Sequence, residues 1–138
     1  DSPMSQLFSD IWMNDLKDAW NNDAGVYGPL QMANFTANIA YGFKGEDQPR
    51  GLISIVSGIV TKGSAYAGEN LDWDLRASPE NWQLWLKEGF GLTRLGPAVA
   101  MKKLQFAVGN YRQMIRNPSL SHPFLQQFEL MRRIPTSY

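Results

Sequence analysis

The feature that most constrains this chain is a change of hydrophobic period. Before residue 23 and after residue 78, apolar residues recur mostly at steps of three and four; between Phe35 and Ala77 the step is largely two. The first spacing gathers side chains on one stripe of a helix, the second on one face of a strand. In Phe35–Phe43 the odd positions are apolar and the even ones small or polar, as in a half-buried strand. Leu52–Ser57 and Ile59–Ala67 read as two more strands around Ser57–Gly58. Leu71, Trp73, Leu75 and Ala77 share a face of a fourth. Turn-rich segments at 45–51 and 68–70 separate them, and this close spacing predicts an antiparallel meander. Leu104–Val108 alternates again, a last strand closed by Gly109.

The helices are predicted around this block. Phe8, Ile11, Trp12, Leu16, Ala19 and Trp20 define one apolar face of a helix over Pro3–Asn22, and Asp23–Pro29 reads as a break. Ser78-Pro79-Glu80-Asn81 is a helix start: a hydroxyl cap, proline at the first helical position, an acid in the first turn. Trp82, Trp85 and Leu86 continue that helix to Gly89 or Gly91. Further helices are expected over Gly96–Lys102 and Tyr111–Arg116. Asn117-Pro118 then breaks the chain before a final helix from Pro123, with Phe124, Leu125, Phe128 and Met131 on one face. Strands in a block with helices at the ends imply an α+β fold: five strands, mostly antiparallel, with helices packed on one sheet face. The 138 residues read as a single domain, with an N-terminal helix and linker over 1–30, a core over 31–131 and a tail over 132–138.

Composition removes several function classes. With 43% hydrophobic and 19% charged residues the chain is neither disordered nor membrane-spanning, and no apolar run nears the roughly 20 residues of a spanning helix. Asp1–Gln6 lacks the pattern of a secretory signal, and the absence of cysteine fits a cytoplasmic location. It also removes disulfides, thiol nucleophiles and thiolate metal sites. Thirteen basic residues balance thirteen acidic ones, so a nucleic-acid partner is not expected. Lys102, Lys103, Arg112, Arg116, Arg132 and Arg133 gather late in the chain, as a solvated face or at most a peripheral contact with an anionic membrane or acidic partner.

No residue set forms a catalytic constellation. His122 is the only histidine, without a second ligand or an orienting partner in view. Asp72, Asp74 and Arg76 fall on one strand face, opposite Leu71, Trp73 and Leu75, and are expected to be a solvated row with Arg76 ion-paired across or along the strand. Gly89-Phe90-Gly91 is not a phosphate loop, and Ser54, Ser57 and Ser64 lack a nucleophile elbow. No catalytic residue, metal or cofactor is expected.

Two stretches carry a resemblance. Leu71-Asp72-Trp73-Asp74-Leu75-Arg76-Ala77-Ser78-Pro79-Glu80-Asn81-Trp82 is a strand running straight into a capped helix. Gly96 to Gly109 is a short helix leading through Lys102-Lys103 into a last strand ending at glycine. With the element order, these resemble the sterol carrier protein 2 family of lipid-transfer domains over about residues 31–131. Gly89–Leu95 has no counterpart in that pattern, and Thr136-Ser137-Tyr138 does not match the peroxisomal address of some members. The resemblance implies a five-stranded sheet with a hydrophobic tunnel beneath its helices, and non-covalent binding and transfer of a fatty acid, acyl-CoA, sterol or similar molecule.

The unusual aromatic content, five Trp, five Tyr and seven Phe, supplies walls for such a site. One wall is Ile39, Tyr41, Phe43, Trp73, Leu75 and Phe106 on the strands. Facing helices offer Trp82, Trp85, Phe90, Met101, Phe124, Phe128 and Met131. Periodicity does not separate a filled core from a hollow one; the resemblance implies the hollow one. The helix Pro123–Met131, short, terminal and apolar on one face, is the candidate gate. The alternative is an accessory or dimerisation module docking on an enzyme or a second copy through its aromatic helices.

Overall fold

A computed structural model describes residues 4–138; the expected helix start at Pro3 lies outside them. The elements run β1 (Ser5–Gln6), α1 (Asp10–Asn21), α2 (Ala24–Met32), β2 (Ala37–Phe43), β3 (Gly51–Val56), β4 (Ile59–Ala65), β5 (Trp73–Ala77), α3 (Pro79–Glu88), α4 (Leu92–Ala100), β6 (Gln105–Val108), α5 (Tyr111–Arg116), α6 (Pro118–Arg132) and β7 (Thr136–Ser137). The fold is α+β, with a five-stranded mixed sheet in the order β4-β3-β2-β5-β6.

The meander holds for β2, β3 and β4, which pair antiparallel in sequence, with Ile39 opposite Ile53. It fails at β5. The chain crosses back and adds β5 to the free edge of β2 in parallel, Ile39 beside Trp73 and Tyr41 beside Leu75; β6 then pairs antiparallel with β5. Alternation assigns a residue to a face but carries no strand direction. The direction here is set by the crossing, which Asn38 and Asp72 secure: Asn38 N–H donates to the Asp72 carboxylate and Asp72 N–H to the Asn38 carbonyl.

Helix α1 starts at Ser9, whose hydroxyl accepts from Trp12 N–H. It buries Trp12, Met13, Leu16 and Trp20, whereas Ile11 is 67% exposed and Phe8 lies before the cap with φ +62°. The helix rests almost on the backbone of the sheet. A Cβ on Gly63 would run into the Met13 carbonyl oxygen, and one on Gly51 into the Met13 side chain. Only glycine permits that approach.

Several boundaries differ from the sequence expectation. Asp23–Pro29 is not a break: the Asp23 side chain caps Gly25 N–H and starts α2, which packs Val26 and Leu30 into the core despite its glycines and Pro29. Asn117-Pro118 is not a break either. Asn117 accepts from Ser119 N–H and Pro118 takes the first position of α6, so His122 and Pro123 lie inside one 15-residue helix. Helix α4 begins at Leu92, not Gly96. The expected tail over 132–138 contains β7, which pairs in parallel with β1, and the Trp12 indole donates to Thr136 Oγ1 at 2.8 Å.

The second face of the sheet is not the solvated row expected of Asp74 and Arg76. These residues are 4% and 8% exposed, and the loop at 44–50 folds over them. Arg76 Nε and Nη2 meet Asp74 Oδ1 and Oδ2 at 2.6 and 3.0 Å, and Nη1 donates to the Glu46 carbonyl at 2.7 Å. The pairing along the strand is as expected. The burial is not, because a guanidinium paired bidentately with a carboxylate and capped by a backbone carbonyl can leave water. Asp72 alone of the row is exposed.

Candidate functional site: an apolar cavity at one end of the helix–sheet layer

The space between the sheet and the helices divides in two. At one end it is solid. Phe8 packs edge-on to Trp12 and Trp82 at 5.3 and 5.1 Å, and stacks on Tyr41 at 5.6 Å. Trp82 continues the cluster to Trp85 and Phe128, and Phe90 lies 4.7 Å from Trp85 and 4.5 Å from Phe128. The Trp82 indole donates to the Gly42 carbonyl, so its one polar atom is satisfied.

At the other end lies a cavity of about 30 Å³. Its floor is Ile39, Trp73 and Leu75 on β2 and β5, with Phe35 just before β2. Trp20 of α1 and Leu30 of α2 form one side. Met114 of α5 and Leu120, Pro123, Phe124 and Gln127 of α6 form the roof. The Trp20 indole is occupied, donating to the Gly58 carbonyl. Gln127 is the one uncharged polar residue on the wall, 1% exposed, and Tyr41 O–H donates to its Oε1 at 2.6 Å. Burial pushes the Tyr41 phenol far above its ordinary range, so it stays protonated and remains a donor.

The residues expected as walls separate accordingly. Ile39, Trp73, Leu75 and Phe124 border the cavity. Phe106 stands one layer behind, 6.0 Å from Trp73 and 5.8 Å from Phe124. Tyr41 reaches the wall only through Gln127. Phe43, Trp82, Trp85, Phe90 and Phe128 belong to the solid end, and Met131 is fully buried in the same core. Met101 is 66% exposed and, with Trp85, lines a separate outer groove between α3 and α4. Sequence reasoning missed Trp20, Leu30, Phe35, Met114, Leu120, Pro123 and Gln127. Trp20 and Phe35 stood in the apolar patterns of the first helix and first strand, but Leu30 lay beyond the expected break and Gln127, a polar residue, carried no apolar signal.

His122 is exposed on α6, and among the described residues no three His, Cys, Asp or Glu side chains gather as a metal site. The late basic residues are all exposed; Arg132 donates to the Leu86 and Lys87 carbonyls at the end of α3, and Arg133 lies 3.8 Å from Asp23. Among the described residues no helix is long and apolar enough to cross a membrane.

No protein-family model matches the chain, and no curated protein matches it in sequence. Solved structures do match in shape. A crystal structure of sterol carrier protein 2 aligns with a TM-score of 0.74 at 14% identity, over 94% of this chain and 99% of that one. The solution structure of a conserved hypothetical protein from Thermus thermophilus, described as possibly a sterol carrier protein, aligns at 0.67 and 14% identity, over 99% of this chain and 94% of that one. The structure of UbiJ-SCP2, a ubiquinone synthesis protein, aligns at 0.56 and 10% identity, over 86% and 90%. The chain therefore has the sterol-carrier-like fold.

Proposed function

From the sterol-carrier-like fold as premise, we propose that this protein binds an elongated hydrophobic molecule, of the fatty-chain or sterol class, without covalent chemistry. The observation that carries the reading is the apolar, aromatic-walled cavity at the α5–α6 end of the helix–sheet layer. Affinity comes from apolar burial, about 25 cal/mol per Å² before the costs of ordering.

The cavity as it stands holds about 30 Å³, against the roughly 300–1,000 Å³ of a ligand pocket. Uptake therefore requires its roof to move. Five wall residues belong to α5 and the first part of α6. Pro123 removes a backbone donor inside α6, a natural bending point. Phe128, Leu130 and Met131, further along the same helix, are fully buried. The gate is then α5 and residues 118–123, a shift from the Pro123–Met131 segment. It opens by bending at Pro123 while the end of α6 holds.

Purification without detergent, organic extraction and mass spectrometry should release an apolar species. Amide exchange in α5 and in residues 118–123 should slow when lipid is added back. A protein that carries no such species and shows no change of exchange with any fatty-chain probe would overturn the proposal.

A second reading is supported by the fold shared with UbiJ-SCP2, named as a ubiquinone synthesis protein. Here the outer groove beside Leu84 and Met101 would seat an enzyme partner. Replacing both residues with serine would then abolish the association and leave lipid uptake intact.

A further inference from the structure

Gln127 does more at this cavity than satisfy Tyr41. An apolar wall needs no amide, and placing one at 1% exposure costs free energy unless its polar atoms are used. Half of it is used: Tyr41 O–H donates to Oε1 at 2.6 Å. The other half, Nε2, donates to no group among the described residues, yet no buried side-chain nitrogen or oxygen among them is sealed off without a partner. Nε2 therefore keeps an accessible surface, and Gln127 lines the cavity. The cavity has room for about one water, which would serve the amide while the site is empty.

We infer that Gln127 Nε2 is a recognition donor for the ligand, and that the ligand class is an apolar chain or ring system bearing a neutral acceptor oxygen, a ketone or ester carbonyl. The inference rests on the cavity reading above and narrows it. Tyr41 sets the sign of the recognition. Its buried phenol donates to Oε1, so that oxygen is occupied and the amide turns its N–H groups to the ligand. Tyr41 is thus a positioning residue. Neutrality follows from the surroundings. The other wall residues are Trp20, Leu30, Phe35, Ile39, Trp73 and their like, with no cation among them, and one neutral N–H does not repay the desolvation of a buried carboxylate.

The test uses the whole chain and three matched probes: tridecane, 2-tridecanone and dodecanoate. In the 15N-labelled wild type, the Gln127 side-chain amide protons should move downfield on adding the ketone and stay in place with the alkane. Competition at pH 8, read by mass spectrometry of the retained probes, should favour the ketone over dodecanoate. The ratio of ketone to alkane retained should fall roughly two- to tenfold in a Tyr41→Phe/Gln127→Leu double variant, the loss of one net hydrogen bond. That variant removes both partners and orphans neither. Should it not fold, the wild-type resonance still decides. Unchanged amide resonances with bound ketone, or an unchanged ratio in the folded variant, would overturn the role of Gln127 while leaving the cavity reading intact. Preference for dodecanoate would overturn the neutral class. Failure of every probe to bind would overturn the cavity reading and this assignment together.

Discussion

The two ends of one helix–sheet layer are built from the same residue types and come out differently. At the solid end, Phe8, Trp12, Tyr41, Trp82, Phe90 and Phe128 interlock, their ring centroids 4.5 to 6.5 Å apart. At the hollow end, Trp20, Phe35, Trp73 and Phe124 surround a void. The difference lies in what enters from outside the sheet and helices. Phe8 arrives on a left-handed backbone, φ +62°, directly after β1, and its ring fills the centre of the solid end. That conformation costs a non-glycine residue about 1–2 kcal/mol, held in place by the burial of the ring and by the β1–β7 ribbon. Among the described residues no such plug enters the other end. Its roof is α5, six residues long, and the proline-bearing start of α6. The aromatic count was thus a poor guide to hollowness; the route of the N-terminal segment decides which half is filled.

The largest expected effect tests the solid half. Trp82→Ala should destabilise the protein by about 3–5 kcal/mol in denaturant titration, since a fully packed ring leaves a void behind. Trp73→Ala, at a partly buried ring that already borders empty space, should cost about half as much. Equal costs would mean that the two ends are packed alike.

Phe8→Gly comes next. It loses the plug but relieves the left-handed backbone, so a net cost of about 2–3 kcal/mol is expected. The solid end should then admit a benzene-sized probe, visible as ligand-dependent stabilisation. A variant that stays closed to such probes would show that the end collapses without Phe8.

Filling the hollow end should change stability little and function much. Met114→Phe adds volume where there is room, so stability should shift by less than about 1.5 kcal/mol. Fatty-chain uptake, read by mass spectrometry of the retained lipid, should fall by roughly tenfold or more, the equivalent of at least about 1.4 kcal/mol of binding. Undiminished uptake would place the ligand elsewhere.

The smallest effect lies outside both ends. Hydrogen bonding to Arg50 holds the Glu46 carboxyl below its usual range, and Lys62 does the same for Glu69. A carboxyl lowered on folding stabilises above its unfolded pKa, and that contribution is lost as pH falls through the folded value. Between roughly pH 5 and pH 3 the melting temperature should drop less steeply in Glu46→Gln/Glu69→Gln than in the wild type. Lipid uptake at pH 7 should be the same in both. A change in uptake would tie the loops that carry Glu46 and Glu69 to the cavity.

Part of this was legible in the sequence and part was not, for physical reasons. The period of two in β2 and β5 assigned Ile39, Trp73 and Leu75 to the helix-facing side. The Ser78 cap located α3 to within a residue, because both signals depend on neighbours a few positions away. Helix α2 was hidden because Gly25, Gly28 and Pro29 are poor helix formers, and their helix is sustained by Val26 and Leu30 packing into the core. Asp74 and Arg76 were misplaced because their burial depends on the loop after β2, which brings the Glu46 carbonyl to Arg76. What the sequence by itself determined was local: which residues share a face, where α3 begins, and that an aromatic core lies under a five-stranded sheet. The tertiary structure alone decided the parallel entry of β5, the plug at Phe8 and the placement of Gln127 beside Tyr41, 86 residues earlier in the chain. Those depend on contacts between distant segments, and hydrophobic period carries no information about which distant segment will arrive.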